Sequence, residues 1–121
     1  MAKRILIADD SPLMLRQVRT LLELDRSVEV CAEAVDGVEA VEKVRECRPD
    51  LVILDLVMPK MNGLEATREI RKLTPTLPVL LFTLHSSPVL ERESRRAGVD
   101  AVLSKAEGIA QLSMVIHSLL G

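Results

Sequence analysis

The amino-acid sequence predicts an α/β domain built on a parallel β-sheet. Short apolar runs bounded by turn residues are typical of strands buried on both faces of such a sheet. Five of these runs lie at residues 3–8, 28–32, 51–54, 79–82 and 101–103. Helical stretches alternate with them, which predicts successive βα units. Polar residues follow four of the runs, at the sheet edge where open α/β sheets bind ligands.

Size and composition exclude several classes of function. The 121 residues suffice for one domain. Only 1% are aromatic, with Phe82 alone, which disfavours sites that stack flavins or single-stranded nucleic acid. A net charge of −2 predicts no direct nucleic-acid binding and no attraction to an anionic membrane. The first apolar run is too short for a signal peptide or a transmembrane helix. Cys31 and Cys47 lack CxxC spacing, so we expect reduced thiols in a cytoplasmic protein.

Helix-start signals place the first two helices. Ser11 followed by Pro12 predicts an N-cap with proline at the first helical position. Asp36, with Glu39 three residues later, predicts the start of the second helix through a capping box. The predicted apolar stripe of the first helix is Met14, Val18, Leu21 and Leu22.

The second half of the chain carries similar signals. Asn62 and Glu65 predict the start of the third helix, after a loop shaped by Pro59 and Gly63. The fourth helix is predicted from Ser87-Pro88 to Ala97, with Gly98 as its C-cap, and the fifth from about Ile109 to Leu120. The predicted stripe of the third helix is Leu64, Ile70 and Leu73. The fourth helix has little apolar surface to bury, so we expect it to be the mobile element.

The polar residues after the strands suggest a site for phosphoryl chemistry. If the first strand lies between the second and third, the order becomes 2-1-3-4-5, and Asp9, Asp10 and Asp55 converge at the switch point. Three carboxylates together repel one another and favour a bound cation, and oxygen-only ligation suits Mg²⁺. Lys105 and Thr83 offer an ammonium group and a hydroxyl to a phosphoryl oxygen. This arrangement suits transfer of a phosphoryl group to a carboxylate.

Each of these residues also has an ordinary structural explanation when taken alone. Aspartates often cap helices and turns, which would account for Asp9 and Asp10, and an aspartate after a strand often begins a turn, which would account for Asp55. Thr83 could be an ordinary strand-end residue, and Lys105 could be a solvated surface charge. Their occurrence together favours the site. His85 and His117 are predicted to be surface or partly packed groups. A solvated helix face is predicted at Arg92, Arg95 and Arg96, with partner binding as the second interpretation.

The chain resembles the receiver domain of bacterial two-component response regulators, over essentially its whole length. The motifs that carry the resemblance are Asp9-Asp10-Ser11-Pro12, the run from Asp55 to Gly63, Thr83 and Ser104-Lys105. It implies a flavodoxin-like, doubly wound (βα)5 fold with a five-stranded parallel sheet in the order 2-1-3-4-5. One receiver domain would occupy residues 1–121, without an output domain. The run from Ser104 to Glu107 is similar to receivers attached to helix-turn-helix transcription factors.

The resemblance also implies roles for individual residues. Asp55 would accept a phosphoryl group from a sensor histidine kinase or a phosphotransfer protein, Lys105 would bind that group, and Thr83 would sense it. The ligands of Mg²⁺, with Mn²⁺ as an alternative, would be Asp9, Asp10, Asp55 and the backbone carbonyl of Val57. The protein would be a signalling switch and not an enzyme, apart from weak autophosphatase activity. Its output surface, and a site for homodimer formation, would be the fourth helix, fifth strand and fifth helix.

Three positions depart from the family pattern. Leu84 replaces a small residue, which predicts narrower access to Asp55. Val102 replaces an aromatic residue, and Ala106 replaces a proline, for which we expect a trans bond and a differently shaped loop. Leu84 and Val102 support an alternative, a pseudo-receiver that binds partners without phosphorylation. A phosphatase of the haloacid-dehalogenase type would need a second aspartate two residues after the nucleophile, and this chain has Val57 there. A flavodoxin-like electron carrier is disfavoured by the near absence of aromatic residues.

Overall fold

The computed structural model describes residues 1–84 and 86–121, so the prediction for His85 lies outside the described residues. Its five strands are β1 Lys3–Ala8, β2 Val28–Ala34, β3 Leu51–Leu54, β4 Val79–Thr83 and β5 Ala101–Ser104. They form one sheet in the order β2-β1-β3-β4-β5, with every neighbouring pair parallel. The predicted fold class and strand order are confirmed.

Helices connect the strands on both faces of the sheet. They are α1 Pro12–Glu23, α2 Gly37–Cys47, α3 Gly63–Leu73, α4 Pro88–Ala97 and α5 Ala110–Leu120. The predicted N-caps of the first four are confirmed, because each cap side chain accepts a hydrogen bond from the backbone three residues later; the caps are Ser11, Asp36, Asn62 and Ser87. None of the described helices has the length and apolar character needed to cross a bilayer.

Two apolar layers cover the sheet. Alternate strand residues face opposite sides, so Ile5 and Ile7 pack with α1 and α5, whereas Leu6 and Ala8 pack with α2 and α3. The α1 and α5 residues in the first layer include Leu15, Val18, Leu22, Leu112 and Ile116. The second layer includes Ala40, Val44, Ala66 and Ile70. The core is therefore aliphatic on both faces, apart from Phe82.

Three local features differ from or refine the sequence predictions. Strand β2 extends to Ala34 and contains a bulge, because Ile5 pairs with Val30 and Leu6 with Ala32. Leu73 was named with Leu64 and Ile70 as an apolar residue of α3, and its exposed fraction of 40% places it outside the buried face of that helix. A 3₁₀ turn at Lys105–Glu107 follows β5, and the bond before Ala106 is trans, as expected.

Candidate functional site

Backbone hydrogen bonds hold two aspartates at the carboxyl edge of the sheet. Asp9 and Asp55 directly follow the neighbouring central strands β1 and β3. The Asp9 amide donates to the Ala34 carbonyl and the Asp55 amide donates to the Ala8 carbonyl, each at 3.0 Å. Because these bonds continue the sheet ladder one residue past the strands, both carboxylates are fixed at the point where the strand order reverses.

Three carboxylates converge at this point. Asp9, Asp10 and Asp55 each offer an oxygen, and these oxygens lie within 4.8 Å of one another. Asp9 and Asp55 are buried whereas Asp10 is exposed. The Ser11 amide, 2.9 Å from Asp9 Oδ1, orients that carboxylate. Such an oxygen-only donor set, open to solvent on one side, fits a hard divalent cation that keeps some of its water.

Lys105 supplies the positive charge of the site. Its Nζ donates to Asp9 Oδ2 at 2.6 Å and lies 3.3 Å from Asp55 Oδ2. The side chain is only 7% exposed. The ammonium group also lies 5.9 Å from the centre of the Phe82 ring, a cation–π contact. No role was predicted for Phe82, and the signal available in the sequence was its position next to Thr83 at the end of a strand.

Burial and the neighbouring charges both affect the pKa of Asp55. Burial raises the pKa of the Asp55 carboxyl group, and the negative charge of Asp9 raises it further, while Lys105 opposes both effects. Because three carboxylates face one ammonium group, negative charge is in excess. A divalent cation in this cluster would therefore favour the ionised form of Asp55, which is the nucleophilic form.

The β3–α3 loop is pressed closely against Asp55. The Gly63 amide donates to the Leu56 carbonyl at 2.8 Å. A Cβ atom at Gly63 would lie only 2.4 Å from the Asp55 carbonyl oxygen, so this position excludes a side chain. Within the loop, Lys60 has a φ of +69°, and the Met61 amide donates to the Pro59 carbonyl at 2.7 Å, which forms a γ-turn. The sequence indicated a loop here but not this close approach.

An open cleft of about 230 Å³ leads to the carboxylates. Among the residues that the structure describes, its lining consists of Asp10, Asp55, Val57, Leu84 and Lys105. Leu84 lines this cleft, and its exposed fraction of 67% shows that most of the residue faces solvent. Thr83 is fully buried at the end of β4, where it pairs with Ser104 of β5.

The structure thus brings together Asp9, Asp10, Asp55 and Lys105, with Val57 at the same cleft.

The sequence model of the response regulator receiver domain matches residues 5–117. The chain belongs to the response regulator receiver family. This receiver is similar to a LuxR-family two-component response regulator from Aurantimonas sp. SI85-9A1, with 34% identity and a TM-score of 0.94 over 99% of this chain and 86% of that one. It is also similar to the response regulator domain of Thermotoga maritima CheB, with 27% identity and a TM-score of 0.92 over 99% and 97% of the two chains.

Longer proteins contain segments similar to this receiver. The transcriptional regulatory protein LnrK of Bacillus subtilis is 35% identical over 95% of this chain, which spans 54% of LnrK. A protein-glutamate methylesterase/protein-glutamine glutaminase of Pyrococcus abyssi is 49% identical over 49% of this chain and only 16% of its own length. The chain therefore corresponds to only part of each of these relatives.

Proposed function

We propose that this receiver is a phosphorylation-controlled signalling switch and that Asp55 accepts the phosphoryl group. The observation that carries the proposal is the buried ammonium group of Lys105, which contacts both Asp9 and Asp55 beside the carboxylate cluster. A purely structural ion pair would need one carboxylate. Three carboxylates and one buried lysine at an open cleft suit phosphoryl transfer.

In the proposed reaction, an Asp55 oxygen attacks the phosphorus of a phosphohistidine on a histidine kinase or phosphotransfer protein. The phosphorus–nitrogen bond breaks, and an aspartyl phosphate forms. Lys105, already 3.3 Å from Asp55, would hold a phosphoryl oxygen. Mg²⁺, or Mn²⁺, bound by the carboxylates and the Val57 carbonyl would neutralise charge on the transferring group. We propose no other enzymatic activity apart from slow hydrolysis of the aspartyl phosphate.

We further propose that Thr83 transmits the phosphorylated state towards α4. Thr83 is buried next to β5, and its hydroxyl would turn towards a phosphoryl group on Asp55. Val102 on β5 and Leu90 on α4 pack against the same core cluster, so they provide contacts through which a shift of β4 would reach α4. The α4–β5–α5 surface is the proposed site for homodimer or effector contacts, with neither nucleic acid nor membrane bound directly.

Intact-mass measurement with a small phosphodonor tests this function. In acetyl phosphate and Mg²⁺, the protein should gain one phosphoryl group, which hydroxylamine should remove, and Asp55→Asn should gain none. Asp50→Asn is a matched control, because Asp50 lies directly before the same strand and should leave the gain intact. A phosphorylated Asp55→Asn protein would place the nucleophile elsewhere.

The pseudo-receiver alternative depends on Leu84 at the cleft. If Leu84 blocks the phosphodonor, the unaltered protein should stay unmodified, whereas Leu84→Ala should gain a phosphoryl group. If both proteins stay unmodified with every donor and metal concentration tried, the pseudo-receiver is the better description.

A further inference from the structure

The β3–α3 loop, residues 56–62, connects the acidic site with the start of α3. The Gly63 amide donates to the Leu56 carbonyl at 2.8 Å, which closes the base of the loop. Met58 is buried in the core cluster between the sheet, α2 and α3. Val57, which lines the cleft beside Asp55, is 56% exposed. The position of the Val57 backbone at the cleft therefore depends on the conformation of this short loop.

Lys60 occupies a strained position in the loop. Its φ of +69° lies in the left-handed region, which a residue with a Cβ atom rarely adopts. The Met61 amide donates to the Pro59 carbonyl at 2.7 Å across Lys60, so the γ-turn is of the rare, strained kind. Such backbone conformations persist only where the surrounding structure holds them. The γ-turn therefore needs contacts from outside the loop.

The start of α2 supplies those contacts. Asp36 Oδ2 lies 3.6 Å from Lys60 Nζ, and Asp36 Oδ1 accepts a hydrogen bond from the Glu39 amide at 2.7 Å. Because Asp36 caps α2 and its side chain is only 9% exposed, the helix orients the carboxylate that faces Lys60. Next to it, a Cβ atom at Gly37 would overlap the Met61 carbonyl oxygen, so the two backbones are in close contact. A buried carboxylate on a capped helix thus holds the strained turn.

We propose that the Asp36–Lys60 ion pair positions the β3–α3 loop and thereby sets the affinity of the acidic site for its divalent cation. Neither residue belongs to the carboxylate cluster, so both are positioning residues that act through the loop backbone. The inference rests on the proposed function, in which the Val57 carbonyl is a ligand of Mg²⁺. Because the Lys60 side chain is 69% exposed, solvent weakens the ion pair. Breaking the pair should therefore weaken Mg²⁺ binding by only about two- to fivefold.

Magnesium titration followed by backbone amide chemical shifts tests the proposal without any phosphodonor. The decisive variant is the double substitution Asp36→Asn/Lys60→Gln, which removes the ion pair and keeps the net charge of the chain. Asparagine is as good an N-cap as aspartate, so the start of α2 is preserved. We expect the double variant to bind Mg²⁺ about two- to fivefold more weakly than the unaltered protein. Lys60→Arg, which keeps the ion pair, should bind Mg²⁺ as the unaltered protein does.

The single variants separate positioning from the direct electrostatic effect of the two side chains. A direct effect alone predicts that Asp36→Asn weakens Mg²⁺ binding, that Lys60→Gln strengthens it, and that the double variant binds like the unaltered protein. Positioning predicts that the double variant stays as weak as Asp36→Asn. Lys43→Gln is the matched charge control, because Lys43 also lies 3.6 Å from an acidic side chain, that of Glu46, but within α2. This control should leave Mg²⁺ affinity unchanged.

The outcomes distinguish a failure of this inference from a failure of the proposed function. A double variant with unaltered Mg²⁺ affinity, or a Lys60→Arg variant that binds as weakly as the double variant, would overturn the inference and leave phosphorylation of Asp55 in place. An unaltered protein that binds no Mg²⁺ would overturn both. With acetyl phosphate, the double variant should need more Mg²⁺ for its half-maximal rate and reach the unaltered rate at saturation. A lower rate at saturating Mg²⁺ would show that Asp55 itself has moved, contrary to the proposal.

Discussion

Helices α3 and α4 begin in similar ways but are held to the sheet by different amounts of buried surface. Both have a capped N-terminus, and α3 has a full capping box between Asn62 and Glu65. Helix α3 buries the large side chain of Ile70 completely, together with smaller residues. Helix α4 buries only Ser94 and Ala97. Good capping therefore starts both helices, but only α3 is firmly packed.

The two ends of α4 also differ. At the C-terminus, the Gly98 amide bonds to the Ser94 and Arg95 carbonyls, and Arg71 of α3 donates to the Gly98 carbonyl at 3.0 and 2.6 Å. At the N-terminus, the Leu90 amide donates a hydrogen bond to Ser87 Oγ at 3.1 Å, and this bond is exposed to solvent. We therefore expect α4 to move mainly at its N-terminal end, pivoting near Gly98.

The largest expected effect is the difference in unfolding free energy between a truncation in the packed helix α3 and one in the loosely packed helix α4. Ile70→Ala should reduce the free energy of unfolding by about 2–5 kcal/mol, because it leaves a cavity where a fully buried side chain packs beneath α3. Leu90→Ala, on the half-buried side of α4, should cost less than about 2 kcal/mol, because solvent reaches the site. Urea unfolding followed by circular dichroism measures both. Equal losses would contradict the difference in packing.

The second effect concerns the hydrogen bonds that Arg71 of α3 donates to the Gly98 carbonyl at the end of α4. Arg71→Ala should cost about 1.5–3 kcal/mol, because it leaves the carbonyls of Gly98 and Leu77 without a charged donor. Hydrogen exchange should speed up at the amides of Gly98 and Val99. Lys72→Ala is the neighbouring control: its exposed pair with Glu69 should contribute less than about 0.5 kcal/mol. Unchanged exchange at Gly98 would show that Arg71 does not hold α4.

A third effect tests how tightly α3 is joined to the acidic site. Alanine in place of glycine normally favours a helix by about 1 kcal/mol. Gly63→Ala should instead destabilise the protein by about 1–3 kcal/mol, because the new Cβ atom would overlap the Asp55 carbonyl oxygen. Its phosphorylation by acetyl phosphate should also slow, since Asp55 must shift. A stabilised variant that is phosphorylated normally would show that the loop has more room than the structure indicates.

Local signals explain how much of this molecule could be predicted from its sequence. Caps such as Ser11 and Asp36 act within three residues, so the starts of the first four helices were predicted to the residue, whereas α5, which has no side-chain cap, was placed only approximately. The convergence of Asp9 and Asp55 was predicted because parallel strands end at one edge of the sheet. Both inferences need only nearby sequence or general topology.

Features that depend on distant contacts were not predicted. Small residues carry no clear signal of burial, so the complete burial of Thr67 in α3 was not predicted, and Leu73 of the same helix is exposed. The bulge at Cys31 depends on pairing with β1, and the bond from Arg71 to Gly98 joins residues far apart in the chain. Such contacts are visible only once the elements have been assembled.

The smallest expected effect compares one buried hydroxyl on each helix. Thr67 Oγ1 donates to the Gly63 carbonyl at 2.7 Å, whereas Ser94 Oγ has no hydrogen-bond partner within the part of the chain that the structure describes. Thr67→Val should therefore cost about 0.5–1.5 kcal/mol, the net value of one hydrogen bond. Ser94→Ala should leave stability unchanged or raise it by up to about 1 kcal/mol, because it removes an unsatisfied polar group.

Urea unfolding of both variants in parallel measures the difference between them. If Ser94→Ala destabilises as much as Thr67→Val, Ser94 has a partner in solution. Hydrogen exchange in α4 would then show whether that partner holds the helix in place. If Ser94→Ala is neutral or stabilising, the inner face of α4 contains a polar group without a partner. A helix that makes few stabilising contacts loses little interaction free energy when it shifts. This is the physical basis for expecting α4, and not α3, to move when Asp55 is modified.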